Sequence, residues 1–249
     1  MIVVIAGLLG LVIGSFLNVV IYRVPLRRSV VWPASHCPEC GEAIEPKDNV
    51  PLLSYVLLRG RCRSCKARIS ARYPLVEALT GALFAAAAYE FGLSLRLLSA
   101  LVLICTLVAL AGIDLEHRLL PNIIVGPVTL VGFALSVLEN PENWWLYPIS
   151  AFAVAGGLFA LAVAYPGGMG MGDVKMGGML GAFLGPYAGL AVFLGALCGA
   201  LVGGALMSLG RMERRSALPF GVFMALGGIV ALFVGPRLWG FYLDLVAGV

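Results

Sequence analysis

Long apolar segments alternate with short polar stretches along most of the chain. Eight such segments can be distinguished, at about 1–21, 75–91, 96–113, 121–138, 147–165, 174–185, 187–209 and 218–235. Their length and near-continuous apolar character are typical of membrane-crossing helices. At about 1.5 Å of rise per residue the sixth segment is short for a crossing, which predicts a broken or partly inserted helix surrounded by protein or water. The tail 236–249 is too short for a ninth crossing and is predicted to lie at the outer interface.

Composition supports the same fold class. The chain has 249 residues, of which 61% are hydrophobic and only 12% are charged, roughly half the charged fraction of a soluble domain. We therefore predict an all-α polytopic protein with about eight transmembrane helices in a lipid bilayer. The net charge of +4 comes from bases clustered in a few loops, so it indicates membrane orientation and no nucleic-acid partner.

The positions of the basic residues predict the topology. No base precedes the first segment, whereas Arg23, Arg27 and Arg28 follow it. An excess of Lys and Arg marks the cytoplasmic side, so the N-terminus is predicted outside and the first segment is a retained anchor. With strict alternation from there, every one of the 17 basic residues except Arg96 and Arg237 lies inside.

The polar insert at 23–73 carries two Cys-x-x-Cys pairs separated by 21 residues, Cys37 with Cys40 and Cys62 with Cys65. Two such pairs supply four thiolates for a tetrahedral Zn²⁺ ion. Two disulfides are the alternative, but they require an oxidising compartment, so the predicted cytoplasmic location favours zinc. An insert of 51 residues cannot build much core, and a metal would replace one.

Three other residues near or outside this insert could be mistaken for ligands. His36 adjoins Cys37 and is predicted to support the site or lie at the surface. Cys105 and Cys198 stand singly in apolar segments and are predicted to be small buried hydrophobic residues.

Two carboxylates are predicted at the cytoplasmic ends of apolar segments. Asp114 closes the third segment, and Asp173 opens the sixth within Gly170-Met171-Gly172-Asp173-Val174-Lys175. A carboxylate beside hydrocarbon normally has a function or a partner. Two held close together share a proton, so that one can activate water while the other polarises a peptide carbonyl. The structural alternatives are that Asp114 pairs with Arg118, and Asp173 with Lys175 or a helix N-terminus.

Together these motifs resemble those of the bacterial type IV prepilin peptidases, Gly-x-Gly-Asp membrane aspartyl proteases. The resemblance extends over nearly the whole chain and rests on the stretches 14–25, 37–65, 73–77, 112–122, 170–175 and 218–223. In the last of these the family often has proline where Val222 stands. We expect this departure to leave the aspartates unaffected.

The resemblance implies a bifunctional enzyme of the bacterial inner membrane with a periplasmic N-terminus. It would cleave basic leaders after a glycine from type IV prepilins and type II secretion pseudopilins at the cytoplasmic face. It would then N-methylate the new terminal residue with S-adenosylmethionine. The resemblance makes Asp114 and Asp173 the catalytic pair and the four cysteines of the insert zinc ligands.

Four supporting residues have both a functional and a structural interpretation. Gly170 and Gly172 would let the substrate backbone approach. Lys175 would stabilise an ionised aspartate or a substrate carboxylate, or would merely be an interfacial base. Glu77 would contact the basic leader, or would merely extend outward.

The predicted domains are an N-terminal transmembrane anchor at 1–22, a cytoplasmic zinc domain at 23–73 and a transmembrane protease domain at 74–249. An ion- or proton-coupled transporter using the same aspartates is the main alternative. Both aspartates at one interface, away from the bilayer midplane, argue against it. A membrane assembly factor with structural aspartates is a third interpretation.

Overall fold

A computed structural model describes residues 1–211 and 218–247. It contains nine α-helices over those ranges, which are α1 (Ile2–Arg23), α2 (Leu53–Leu57), α3 (Arg72–Phe91), α4 (Leu95–His117), α5 (Asn122–Glu139), α6 (Leu146–Ala164), α7 (Met171–Leu184), α8 (Ala188–Ser208) and α9 (Phe220–Ala247). Each of the eight predicted apolar segments is a helix, and the short α2 lies in the insert. No β-strand occurs in these two ranges, so the predicted all-α class is confirmed.

Six stretches are long and apolar enough to cross a membrane. They are α1, α4, α5, α6, the continuous stretch Met171–Ser208 that contains α7 and α8, and Phe220–Phe241 of α9. Helix α3 is not among the six. The chain is thus a multi-pass membrane protein, while Arg214 and Arg215, two of the bases used to predict topology, lie outside the described residues.

The last helix is longer than the sequence predicted. Helix α9 continues past residue 235 and through Pro236 to Ala247, so the expected helix end before the tail is wrong. Proline is tolerated inside membrane helices because neighbouring groups can satisfy the carbonyl that it leaves without a donor.

The structure divides into two compact units, Met1–Leu97 and Leu98–Val249. In the first unit α1 packs along α3 through small residues. A Cβ added to Gly10 would lie 2.8 Å from the Gly81 Cα, and one added to Gly14 would lie 2.8 Å from the Glu77 Cα. Small residues let membrane helices approach closely, and this close packing replaces the hydrophobic driving force that lipid removes.

Helix α7 is the central element of the second unit. It has 14 residues, nine of them buried, and it packs against α5, α6, α8 and α9. The residue that follows its last residue, Leu184, is Gly185, whose φ of +54° glycine adopts readily. The prediction of a short sixth helix surrounded by protein is therefore confirmed.

Candidate active site and metal centre

Two nearly identical turns in the insert present the four cysteines. The Cys37 N–H donates to the Glu42 carbonyl at 2.9 Å, and the Cys62 N–H donates to the Ala67 carbonyl at 2.8 Å. The residue after each pair has a positive φ, +72° at Gly41 and +61° at Lys66. The same local geometry therefore turns both sulfurs of each pair towards one point.

The four thiols form one cluster that could hold a metal ion. All four Sγ atoms lie within 4.8 Å of one another, and the Cys37 and Cys65 Sγ atoms are 3.8 Å apart. A tetrahedral site with zinc–sulfur bonds of about 2.3 Å has sulfur–sulfur edges of about 3.8 Å, so the spacing fits zinc. None of these cysteines forms a disulfide. The backbone N–H groups of Cys65 and Ser64 lower the pKa of the Cys62 thiol to about 7, which favours the thiolate that metals bind.

An ion pair connects the second turn to the middle of the insert. Arg63 donates to both carboxylate oxygens of Asp48 at 2.6 Å, and this hydrogen bonding holds the pKa of Asp48 below its ordinary value. His36 is exposed, and its Nδ1 lies 3.1 Å from the Ala34 carbonyl. It therefore lies at the surface, as predicted.

Glu77 is buried at the start of α3, where it contacts the insert. Its Oε2 accepts a hydrogen bond from the Leu52 N–H at 2.8 Å, and Leu52 has a φ of +59° at the residue before α2. Burial does not fit the outward-extending alternative. The carboxylate instead fixes an unfavourable backbone conformation in the insert.

Asp114 lies near the end of α4 and is only 5% exposed. Its Oδ2 accepts a hydrogen bond from the Val222 N–H at 3.2 Å, in the first turn of α9. A Cβ added to Gly221 would lie 2.8 Å from the same oxygen. The end of α4 therefore meets the positive N-terminal end of α9, where N–H groups lack intrahelical partners.

Asp173 is the third residue of α7, and its side chain is half-buried. Its Oδ2 accepts a hydrogen bond from the Gly170 N–H at 3.1 Å. This contact is the carboxylate half of a capping box, since Gly170 has no side chain to supply the other half. The helix-terminus alternative is thus present in the structure, and the contact that forms it uses one of the two carboxylate oxygens.

Leu120 connects the surroundings of the two aspartates. A Cβ added to Gly172 would lie 3.0 Å from the Leu120 Cβ, and one added to Gly221 would lie 3.0 Å from the Leu120 Cδ2. Leu120 therefore lies beside both the residue that precedes Asp173 and the glycine that contacts Asp114.

The glycines and the lysine of the second motif have different surroundings. Gly172 is half-buried against Leu120, whereas Gly170 is exposed. Lys175 is exposed, and its Nζ donates to the Asn122 Oδ1 at 2.9 Å. The side chains of Lys175 and Asn122 line a mainly apolar cavity of about 460 Å³ between α5, α6 and α7.

Comparison with known proteins accounts for both units. The chain matches the bacterial peptidase A24 N-terminal domain over residues 8–91 and the type IV leader peptidase family over residues 101–205. It is 38% identical to a prepilin leader peptidase/N-methyltransferase of Bacillus subtilis, over 96% of this chain and 97% of that one. The chain belongs to the type IV leader peptidase family. This confirms the family expected from the motifs.

Two further relatives have the same name as the Bacillus protein. The protein of Pseudomonas aeruginosa is 34% identical over 95% of this chain and 92% of its own. That of Myxococcus xanthus is 45% identical over 70% of this chain, and the match spans 54% of the Myxococcus protein. No solved structure matches the chain.

One contact of Asp114 was not expected from the sequence. The departure from proline at Val222 was expected to leave the aspartates unaffected, yet the Val222 N–H is a hydrogen-bond donor to Asp114. Proline has no N–H and could not make this bond. Pro219 before an apolar segment signals a helix start, but the sequence does not show which side chain that helix start meets.

Proposed function

We propose that this chain removes leader peptides from prepilins and pseudopilins, with Asp114 and Asp173 as the catalytic pair. The observation that carries the proposal is the grouping of two carboxylates around Leu120, each accepting one backbone N–H. The names of the relatives support this substrate class.

The proposed chemistry needs no covalent intermediate. One aspartate is ionised and takes a proton from a water molecule, whose oxygen attacks the scissile carbonyl. The other is protonated and donates to the carbonyl oxygen, and a proton then passes to the leaving amine as the carbon–nitrogen bond breaks. Gly170 is exposed and would let the substrate backbone approach Asp173.

The location of the site follows from the predicted topology. The N-terminus would be periplasmic, and both aspartates would lie at the cytoplasmic face of the bacterial inner membrane. A substrate with an apolar membrane helix and a basic cytoplasmic leader presents its scissile bond at this depth. Cleavage after a glycine is proposed from the resemblance.

Two cofactors belong to the proposal. Cys37, Cys40, Cys62 and Cys65 would hold a structural zinc ion, which the sulfur spacing fits. N-methylation of the new terminal residue with S-adenosylmethionine is proposed from the relatives' names. We assign none of the described residues to the methyl donor.

The peptidase proposal is tested by incubating the purified protein in detergent with a prepilin and following release of the leader. Asp114→Asn and Asp173→Asn are each expected to lower kcat by about 10³-fold or more, since each removes one member of a unit that acts together. Chelators of loosely held metals should leave cleavage unchanged.

Glu116→Gln is the matched control, because Glu116 is a carboxylate two residues from Asp114 that lies near His117. It is expected to keep wild-type activity. Full cleavage by either asparagine variant would contradict the catalytic pair. Absence of cleavage by the wild-type protein would favour the transporter or assembly alternatives.

A further inference from the structure

The cavity between α5, α6 and α7 is a groove that faces the bilayer. It has a volume of about 460 Å³, and its three helices belong to stretches that are long and apolar enough to cross a membrane. Leu130 on α5 and Phe152 on α6 line it and are 71% and 78% exposed. Large apolar side chains on such helices face hydrocarbon. The groove therefore opens to lipid.

The groove extends about as far as one leaflet of the bilayer is thick. Along α5 its lining runs from Asn122, the first residue of the helix, to Phe133. At a rise of about 1.5 Å per residue this stretch is about 16 Å long, and the hydrocarbon core is about 30 Å thick. An acyl chain that begins at one membrane surface and ends near the midplane has this length.

The polar groups of the groove lie mainly at one end. Three of the described lining residues are polar, and one of them, Thr129, donates its hydroxyl hydrogen to the Val125 carbonyl of its own helix at 2.7 Å. The other two are near the starts of α7 and α5, where the Lys175 Nζ donates to the Asn122 Oδ1 at 2.9 Å. The rest of the groove presents apolar surface, as an acyl chain requires.

The polar end of the groove carries a positive charge that suits a phosphate group. The ammonium group of Lys175 has three donor hydrogens, and its bond to Asn122 uses one of them. Asp173 is two residues away and therefore projects from a different side of α7, where it accepts from the Gly170 N–H. No described side chain caps the start of α5, so the positive end of that helix adds to the charge of Lys175.

We propose that this groove binds an anionic phospholipid of the predicted cytoplasmic leaflet, with an acyl chain between α5 and α6 and the phosphate at Lys175. The length of the groove matches one leaflet, and Lys175 lies on a different side of α7 from Asp173, so a lipid fits better than a substrate helix. The bound chain would fill the space between α5 and α6. This inference does not depend on the peptidase function.

Native mass spectrometry of the full-length protein tests the phosphate contact. The purified protein in detergent is titrated with phosphatidylglycerol, which has a net negative charge, and separately with zwitterionic phosphatidylcholine. The wild-type protein is expected to bind phosphatidylglycerol more tightly. Lys175→Gln should weaken that binding about five-fold, the effect of one base near an anionic lipid, and should weaken phosphatidylcholine binding less. Lys175→Arg retains the charge and should bind as the wild-type protein does.

Filling the groove tests the acyl-chain contact separately. Gly178→Leu on α7 and Thr129→Leu on α5 each add apolar atoms to the groove, and a Cβ at Gly178 makes an ordinary contact of 3.5 Å with the Ala155 Cβ. Each variant should weaken the binding of both lipids about ten-fold, because it displaces methylene groups of the chain. Gly157→Leu is the matched control, since Gly157 is exposed on α6 and a Cβ there meets no atom within 4 Å.

Thermal unfolding in detergent identifies the variants that are folded, and the two filling variants lie on different helices, so one can replace the other. Equal affinities for phosphatidylglycerol in the wild-type protein, Lys175→Gln and either folded filling variant would overturn the inference. Unchanged lipid binding with a large rise in KM for a prepilin would overturn it as well, by placing the substrate's apolar helix in the groove. A protein that binds phosphatidylglycerol as expected but cleaves no prepilin would contradict the peptidase proposal alone.

Discussion

The four cysteines are brought together by two local turns, whereas the two aspartates lie at the ends of helices that are distant in the sequence. Each pair of cysteines occupies four consecutive positions, and the backbone bonds that shape each turn lie within the same short stretch. Asp114, by contrast, accepts its hydrogen bond from a residue 108 positions away. We therefore expect different kinds of substitution to disrupt the cysteine cluster and the aspartate site.

The insert and the aspartate site are expected to be stabilised in different ways. The insert has little buried apolar surface, with no buried side chain on α2 except that of Ser54. Its geometry is expected to depend on metal ligation. The aspartate site depends on helix packing around α7, where nine of 14 residues are buried. Removing a metal ion should disrupt the insert and leave the aspartate site intact.

The largest expected effect comes from replacing two metal ligands. Cys37→Ser together with Cys40→Ser removes half of the thiolates, and structural zinc contributes about 10 kcal/mol or more of apparent binding free energy. The variant is expected to lose its zinc, about one ion per chain, and to become sensitive to trypsin near Arg59 and Arg61. Metal analysis and limited proteolysis measure both.

Cys198→Ala is the control for that experiment, since Cys198 lies on α8 outside the cluster. It should retain zinc and protease resistance. Native protein without zinc, or with disulfides in the insert, would contradict the assignment. A double-serine variant that still binds one zinc ion would contradict it as well.

A smaller loss of stability is expected from a substitution that forces α1 and α3 apart. Gly10→Leu places a side chain where the Gly81 backbone lies 2.8 Å from the first added carbon, and backbone cannot move aside cheaply. Overpacking of this kind lowers the free energy of unfolding by about 3 kcal/mol. Thermal unfolding in detergent should show a lower midpoint.

Gly7→Ala is the matched control on the same helix. Its added Cβ would make an ordinary contact of 3.5 Å with the Ala85 Cβ, so its midpoint should stay close to that of the wild-type protein. Equal midpoints for Gly10→Leu and Gly7→Ala would show that the helices do not depend on this close approach.

Much of the architecture could be predicted because its signals are local. Uninterrupted apolar segments indicated each long helix, and the Cys-x-x-Cys spacing indicated the cluster at 37–65. The predicted end of α9 was wrong because the apolar segment was taken to end at residue 235, just before Pro236. A membrane helix tolerates such a proline, so the local signal misled.

The contacts that define the sites could not be predicted, because they join distant parts of the chain. Nothing in the sequence around Leu52 shows that its N–H bonds to Glu77. Similarly, the motif at 218–223 does not indicate that its backbone reaches Asp114. Such contacts arise from how helices pack, and packing depends on many residues at once.

A moderate loss of stability is expected when a hydrogen bond at the end of α7 is removed. The carbonyl of Ala182 would bond to the N–H of residue 186, but Pro186 has none. The Ser136 hydroxyl on α5 donates to that carbonyl instead, at 2.8 Å. Ser136→Ala should therefore lower the free energy of unfolding by about 1–2 kcal/mol, because it leaves a buried carbonyl without a hydrogen bond.

Thr129→Val is the comparison variant on α5. Its hydroxyl donates to the Val125 carbonyl within the same helix, so its removal leaves that carbonyl with its ordinary helical partner. Chemical denaturation in detergent should give a smaller loss for Thr129→Val than for Ser136→Ala. The reverse order would argue against the role of Ser136 at the end of α7.

The smallest effect is expected at Lys175, which follows Asp173 by two residues but bonds to Asn122. An exposed ammonium group contributes little, so Lys175→Met should raise KM about three-fold at most and leave kcat unchanged, as loss of uniform binding does. Lys175→Arg keeps the charge and should retain the wild-type KM. A hundred-fold fall in kcat for the methionine variant would instead place Lys175 within the aspartate site. In that case the polar partners of Asp173 would extend beyond the Gly170 N–H, and the site would depend on α5 as well as on α4, α7 and α9.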